Sequence, residues 1–200
     1  GARLHLCHCS TKESVELVRD AKKKGIKVSG EVCPHHFTLT EDDIVEGDAN
    51  YKMNPPLRTK ADVDALKAGL RDDIMEVIST DHAPHTAEEK AKDLKSAPFG
   101  IVGMETAAAL TFTELVKTGY LTPMGMAEKM STNPARILGI NKGDISVGHL
   151  ADITIFDPKD TYEINAAEFA SKGKNMPFEG RKVTGRVVGT ILDGRIVYQK

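Results

Sequence analysis

Histidine and carboxylate side chains cluster at three places where an apolar segment ends. His8 follows the first apolar segment, the pair His35 and His36 follows the second, and Asp81 follows the third. Five of the seven histidines fall in these three places, which chance would seldom produce. Neutral imidazole and carboxylate groups are common protein ligands of zinc. The pattern therefore indicates a candidate metal centre.

Asp81 carries the strongest single signal, because it ends an apolar segment and opens the sequence Asp-His-Ala-Pro-His. An ionised carboxylate there is costly to bury unless it is paired or bound to a metal. It could bind a metal and move a proton to and from water, or it could be an ordinary loop or helix-capping aspartate. His82 and His85 beside it favour the first interpretation, which makes Asp81 both a metal and a catalytic candidate.

His8 is the second metal candidate, and the alternative is a core histidine bonded to the backbone. Adjacent histidines cannot easily bind one metal, so at least one of His35 and His36 is predicted to be structural. A catalytic zinc site usually has three protein ligands and an open position. His8 and Asp81 are two ligands, so either another segment completes the site or it is not a site.

The elements that must position these residues are βα units. The sequence predicts strands over 4–9, 26–33 and 74–80, with helices over 12–24 and 59–71 between them. Short connections of this kind are typical of a parallel sheet. In a parallel βα barrel the functional groups lie at the carboxyl ends of the strands, which is where the candidates lie.

The remaining chain divides near residue 140. We expect an α/β part over 1–140 and a small β-rich module over 141–200, with a hairpin turn at Asp193-Gly194. Segments 86–97 and 159–180 are polar and are predicted to be loops. The other predicted helices cover 103–117, 123–131 and 134–138, and the other predicted strands cover 151–156, 183–192 and 195–199.

Composition excludes several classes of protein. The 200 residues carry a net charge of -2, which predicts no nucleic-acid partner and no membrane surface. There is no apolar run of about 18 to 20 residues that could span a bilayer, and no signal peptide opens the chain, so we expect a cytoplasmic protein. Three cysteines argue against a disulfide framework and are predicted to be small buried hydrophobes.

Taken together, the motifs resemble the bacterial dihydroorotases of the amidohydrolase superfamily. The likeness runs in order along essentially the whole chain, and Asp-His-Ala-Pro-His is its most specific part. The motifs that carry it are His8-Cys9-Ser10-Thr11-Lys12-Glu13-Ser14, Glu31-Val32-Cys33-Pro34-His35-His36, Lys52-Met53-Asn54-Pro55-Pro56-Leu57-Arg58, Ser79-Thr80-Asp81-His82-Ala83-Pro84-His85, Pro98-Phe99-Gly100-Ile101-Val102-Gly103-Met104-Glu105, Asn133-Pro134-Ala135 and Gly148-His149-Leu150-Ala151-Asp152.

The resemblance implies a fold and a site. The fold is α/β, the C-terminal part of a (β/α)8 TIM barrel with strands 6–8, plus a small β-sandwich segment. His8 is then the metal ligand from strand 6 and Asp81 the metal-associated base from strand 8. One or two zinc ions are implied. The residues implied to contact substrate are Asn54, His85, Phe99 and Gly100.

The implied activity is reversible cyclisation of N-carbamoyl-L-aspartate to L-dihydroorotate in pyrimidine biosynthesis. The family's ligands on strands 1, 4 and 5 have no match here, so residues 1–200 alone are expected to bind zinc poorly and to be inactive. The expected partner is a second copy in a homodimer or, alternatively, a complementing N-terminal fragment, and aspartate transcarbamoylase is a further candidate partner. Two alternatives stay open: a hydantoinase or allantoinase, which His85 disfavours, and a non-catalytic subunit that scaffolds aspartate transcarbamoylase.

Overall fold

The computed structural model describes residues 1–200, which form two three-stranded sheets and seven short helices. The first sheet is parallel, in the order β1-β2-β3, and the second is antiparallel, in the order β4-β5-β6. The strands are β1 (Leu4–Leu6), β2 (Val28–Val32), β3 (Val77–Ile78), β4 (Ile153–Glu163), β5 (Lys182–Leu192) and β6 (Arg195–Gln199).

Helix α1 (Lys12–Lys23) connects β1 to β2 and begins at Thr11. The Thr11 hydroxyl accepts a hydrogen bond from the Ser14 backbone N–H, a cap that typically stabilises a helix by about 1 kcal/mol. Val15 and Val18 are buried under the sheet, because they lie on one face of the helix. The helix thus fixes the direction in which the chain leaves the carboxyl end of β1.

Two helices connect β2 to β3. The first, α2 (Pro34–Thr38), starts directly after β2 with a proline in its first turn. The second, α3 (Lys60–Arg71), starts with a capping box in which the side chains of Thr59 and Asp62 bond each other's backbone N–H. Its buried face packs in the core with α1.

The parallel register brings three carboxyl ends of strands to one edge of the first sheet. Leu4 pairs with Val28, and Val32 pairs with Ile78. The chain leaves β1, β2 and β3 towards the same edge, since all three strands run in one direction. This edge holds the candidate site.

The chain after β3 is mostly helical. The predicted helix over 103–117 is present as α5, which continues into a π-helical turn, and Gly139 ends the last helix at a φ of 69°. The helices are α4 (Ala87–Lys90), α5 (Met104–Thr111) with the π turn Phe112–Val116, α6 (Pro123–Ala127) with the π turn Glu128–Thr132, and α7 (Asn133–Leu138). None of the helices has both the length and the apolar character that crossing a membrane requires.

Two apolar clusters form the core. The first lies between the parallel sheet, α1 and α3 and contains Val18, Phe37 and Leu66. The second contains Leu110 of α5 and Val183 of β5, so the antiparallel sheet shares buried apolar contacts with the helical part. The two clusters are connected along α5 and its π turn, because Leu110 belongs to the second cluster and Leu115 to the first.

Several predictions about elements were wrong in detail. The strand predicted over 4–9 ends at Leu6, because His8 has a left-handed φ of 53°. The segments predicted as loops contain α4 and the second half of β4. A capping box at Thr86 starts α4, and an irregular register between Asp157 and Thr161 breaks the alternation that would have identified the long strand.

The prediction for the cysteines needs correction at one position. Cys7 is exposed, whereas Cys9 and Cys33 are buried as expected and all three thiols are free. The strand's alternation does not reach Cys7, since β1 has already ended at Leu6. The small β-sandwich predicted over 141–200 stays a prediction, because a sandwich has two facing sheets and these residues supply one antiparallel sheet.

Candidate active site

His8 and Asp81 lie next to each other at the edge where the parallel strands end. His8 Nε2 is 3.7 Å from Asp81 Oδ1. His8 follows β1 and Asp81 follows β3, so the sheet brings together two residues that are far apart in sequence. Both side chains are partly exposed, at 34% and 24%, and a ligand can reach them.

The backbone at both residues is strained. His8 has a φ of 53° and Asp81 a φ of 48°, the left-handed region that non-glycine residues seldom adopt. Such conformations cost about 1 to 3 kcal/mol each and are concentrated at functional sites. Both residues lie at sharp turns after their strands, and these turns bring the two side chains close together.

Glu31, the penultimate residue of β2, holds the His8 ring in place. The buried Glu31 carboxylate lies 2.8 Å from His8 Nδ1, an ion-pair distance, and accepts a hydrogen bond from the His8 backbone N–H at 3.2 Å. His5 Nε2 donates to the same carboxylate at 3.0 Å. A proton held on Nδ1 leaves the lone pair of His8 Nε2 free towards Asp81.

The two carboxylates have opposite pKa shifts. Burial acts to raise the pKa of Glu31, but hydrogen bonds from His5, Ser79 and His8 outweigh it, so the pKa is lowered and Glu31 stays ionised. Burial raises the pKa of Asp81; the charge of His8 opposes this shift and the charge of Glu31 adds to it. Asp81 is therefore the carboxyl group better suited to exchanging a proton.

The donor set at this edge fits a divalent metal. Two ligand atoms around a tetrahedral zinc ion with bonds of about 2.1 Å lie about 3.4 Å apart, close to the separation of His8 Nε2 and Asp81 Oδ1. Cys33 also lies within reach, but its sulfur contacts the Nδ1 side of His8 at 3.5 Å. Burial raises the pKa of the Cys33 thiol strongly, which favours the neutral form rather than the thiolate that binds zinc.

His85, Phe99 and Gly100 form a second group. His85 Nε2 lies 2.9 Å from the Phe99 carbonyl oxygen, and Nδ1 lies 3.3 Å from Glu89. The Phe99 ring is exposed, and the Lys52 ammonium nitrogen lies over it, 4.6 Å from the ring centroid. These contacts bring three of the predicted substrate residues together.

Gly100 differs from its predicted role. Its N–H donates to the Lys52 carbonyl at 2.9 Å, so this amide does not point freely towards a substrate. Gly100 has a φ of 115°, and a Cβ there would come 2.4 Å from the Ala83 Cβ. We conclude that glycine is needed here for close packing of two loops.

Asn54 is not joined to the other candidates by any contact. Its side chain is exposed, and it precedes the cis peptide bond to Pro55. The Pro55 carbonyl accepts a hydrogen bond from His36 Nε2 at 2.8 Å, which ties this loop to α2. Burial lowers the pKa of His36 to about 4, so the ring is neutral. Its contact is structural, in line with the prediction that at least one of His35 and His36 has a structural role.

The remaining histidines have other partners. His82 Nδ1 accepts hydrogen bonds from the backbone N–H groups of Gly103 and Met104, so it holds the start of α5. His5 binds Ser29 and Glu31. His149 pairs with Asp144 in the β-rich part.

Reasoning from single residues missed three that shape the site: Glu31, Lys90 and Asn175. A signal existed for Glu31, because a carboxylate near the end of an apolar strand needs a partner for the same reason as Asp81. Lys90 and Asn175 carried no such signal, since each lies in a polar segment.

Comparison with known proteins agrees with the geometry. Residues 2–197 match the Amidohydrolase family. The chain belongs to the amidohydrolase family. Enzymes of this family generally depend on a metal and act on small molecules.

Amidohydrolases named dihydroorotase are similar over the whole chain. Those of Pelotomaculum thermopropionicum and Shouchella clausii are 52% and 51% identical to it, over 199 and 200 residues. The chain covers 47% of each of these relatives and therefore spans about half their length.

Solved amidohydrolase structures share the fold. The dihydropyrimidinase from Brevibacillus agri NCHU1002 has a TM-score of 0.93 at 30% identity, over 99% of this chain and 45% of its own. The L-hydantoinase from Arthrobacter aurescens has a TM-score of 0.91 at 32% identity, over 100% of this chain and 46% of its own. The mixed α/β architecture is thus that of this family.

Glu31→Gln is expected to weaken metal binding by the amidohydrolase about 10- to 100-fold without unfolding it. The amide is the same size but offers a weaker acceptor to His8 Nδ1, so Nε2 is less firmly presented. Titration of the metal-free intact protein with zinc measures the change. Unchanged zinc affinity would show that Glu31 does not orient His8. The matched control is Glu13→Gln, at an exposed position of α1.

Proposed function

We propose that the intact protein is a dihydroorotase, which interconverts N-carbamoyl-L-aspartate and L-dihydroorotate. The observation that carries the proposal is the convergence of His8 Nε2 and Asp81 within 3.7 Å, beside a loop that bears His85. Relatives named dihydroorotase are 52% and 51% identical to this chain over its whole length, which supports the same activity.

The same proposal extends to the architecture. In it, β1, β2 and β3 are strands 6, 7 and 8 of a (β/α)8 barrel, so residues 1–140 form the C-terminal part of that barrel. Residues 141–200 form part of a small β-sandwich module. A parallel sheet with three functional carboxyl ends supports the first assignment, and the antiparallel sheet supports the second.

Zinc is the metal we propose, with one or two ions in the complete site. His8 Nε2 and the Asp81 carboxylate would hold it from this chain, and other segments of the intact protein would supply the remaining ligands. A zinc ion supplies a Lewis acid that polarises a carbonyl and makes water more acidic.

Asp81 acts as the general base and acid in the proposed reaction. In hydrolysis its carboxylate takes the proton from the attacking water, and its carboxyl then delivers that proton to the leaving ring nitrogen. Cyclisation runs the same transfers backwards. The position of the Asp81 carboxylate supports this role, because it lies partly exposed at the strand edge, 3.7 Å from His8 Nε2.

Substrate binding is assigned to the loops around Asp81. The substrate carries carboxylate and ureido groups, which the Asn54 amide can bind by hydrogen bonds, and which the His85 ring can bind when substrate replaces the Phe99 carbonyl or Glu89 as its partner. The exposed Phe99 ring offers an apolar wall next to them. Gly100 contributes by allowing this loop to pack against Ala83.

A panel of cyclic amides tests the assignment. The intact protein is expected to turn over L-dihydroorotate with a kcat/KM at least tenfold above those for hydantoin and allantoin. Preference for hydantoin would instead establish the second candidate, a hydantoinase, which the high TM-scores to dihydropyrimidinase and hydantoinase structures favour. Absence of zinc and of all turnover would establish a non-catalytic subunit.

We further propose a cytoplasmic protein that forms a homodimer or associates with a complementing N-terminal fragment. Aspartate transcarbamoylase is the proposed partner enzyme, because it makes the substrate of the cyclisation.

A further inference from the structure

The loops that carry the proposed substrate contacts meet at two buried polar side chains. We propose that Lys90 and Asn175 are positioning residues that together fix His85 and the Phe99–Gly100 loop in the geometry that binds substrate. The proposal rests on the proposed function and adds two residues outside the motifs that indicated it.

Lys90 joins two backbone segments through its ammonium group. The residue is 8% exposed, and its Nζ donates to the carbonyl oxygens of Gly100 at 3.0 Å, Pro98 at 3.1 Å and Lys52 at 3.5 Å. The carbonyls of Pro98 and Gly100 flank Phe99, and the carbonyl of Lys52 lies two residues before Asn54. One ammonium group thus uses all three of its donors to hold the two loops together.

Lys90 also ties these loops to His85. It is the last residue of α4, which begins immediately after His85 with the Thr86 cap. Its ammonium group forms no ion pair, so its hydrogen bonds go to neutral carbonyl groups. A buried cation with this coordination is retained at a cost in desolvation, which indicates a role beyond filling space.

Asn175 joins the Phe99–Gly100 loop to the loop that bears His85. It is 6% exposed and lies between β4 and β5. Its Oδ1 accepts from the His85 backbone N–H at 2.9 Å, and its Nδ2 donates to the carbonyls of Ala83 and Gly100 at 3.1 Å each. The Asn175 backbone carbonyl accepts from Val102 at 2.9 Å.

Close packing restricts independent movement of the loop that bears His85 and the Phe99–Gly100 loop. A Cβ at Gly100 would lie 2.4 Å from the Ala83 Cβ, and a Cβ at Gly173 would lie 2.7 Å from the Pro84 Cβ. The backbones around His85, Gly100 and Asn175 are thus in direct contact. Loss of either Lys90 or Asn175 would displace His85 and Phe99 together.

The distinguishing expectation is a split between KM and kcat. His8 and Asp81 make no contact with Lys90 or Asn175, so a positioning defect at these loops affects substrate binding more than the chemical step. In the intact zinc-loaded protein, Lys90→Met is expected to raise KM at least tenfold, to change kcat less than threefold and to leave zinc content unchanged.

Hydrogen exchange supplies a readout that does not depend on activity. The Gly100 amide bonds the Lys52 carbonyl and the Val102 amide bonds the Asn175 carbonyl. Both amides are expected to exchange at least tenfold faster in Lys90→Met and in Asn175→Ser than in the unchanged protein. Lys92→Met, at an exposed lysine two residues further on, is the matched control and should change neither exchange nor KM.

A double-mutant cycle that combines Lys90→Met with His85→Ala separates a positioning role from an effect on general stability. If Lys90 acts through His85, the two substitutions together raise KM less than the product of their separate effects. Faster exchange with an unchanged KM would overturn the proposal, and so would fully multiplicative effects. Should Lys90→Met fail to fold, Asn175→Ser carries the same measurements, since it is smaller and keeps a donor.

Failure of the proposed function gives a different result. If the unchanged protein turns over hydantoin and not dihydroorotate, the dihydroorotase assignment is lost. The same KM comparison with hydantoin then tests the roles of Lys90 and Asn175.

Discussion

Asp81→Asn in the intact amidohydrolase is expected to lower kcat by about 1,000-fold or more while the protein stays folded. The asparagine side chain matches aspartate in size, so packing beside His8 is retained. It cannot accept and release the proton that the reaction moves between water and the leaving nitrogen. Steady-state kinetics with L-dihydroorotate, alongside circular dichroism, measures both parts of the result.

The control for Asp81→Asn is Asp193→Asn. Asp193 also has a left-handed φ, 49°, but it lies exposed at the turn between β5 and β6. The same change of chemistry in the same backbone conformation should leave kcat unaltered there. Residual activity of the Asp81 variant above about a tenth of the unchanged enzyme would exclude Asp81 as the base.

His8→Asn is expected to weaken zinc binding by about 100-fold or more, since loss of a direct ligand costs at least as much as loss of a residue that orients one. Asparagine is chosen because it tolerates the left-handed φ of 53° that His8 adopts. The substitution therefore removes the imidazole with little backbone strain. Zinc content after dialysis against a chelator of known affinity measures the loss.

His149→Asn is the control for His8→Asn. His149 lies in the β-rich part and pairs with Asp144, so its replacement should leave zinc content unchanged. If His8→Asn retained the full zinc content, His8 could not be a ligand, and the assignment of the parallel-strand edge as the metal site would fail.

The positions of His8 and Asp81 could be predicted because strand periodicity is a local property of the sequence. Apolar segments separated by amphipathic helices indicate parallel strands, and parallel strands share one carboxyl edge. The residues after β1 and β3 were therefore expected to lie close together, and their ligand atoms are 3.7 Å apart.

What the sequence could not predict depends on contacts between distant segments. Asn175 lies in a polar stretch that gives no periodic signal, yet its amide bonds His85 and Gly100. Lys90 resembles any lysine at the end of a short helix until its ammonium group is found buried. Left-handed φ values, as at His8, are likewise set by tertiary packing and ended β1 earlier than expected.

The most direct test of the site is the position of the bound metal in crystals of the intact protein. Anomalous scattering at the zinc absorption edge should give a peak about 2.0 to 2.2 Å from both His8 Nε2 and an Asp81 carboxylate oxygen. A zinc peak that neither residue touches, in crystals of active enzyme, would contradict the account.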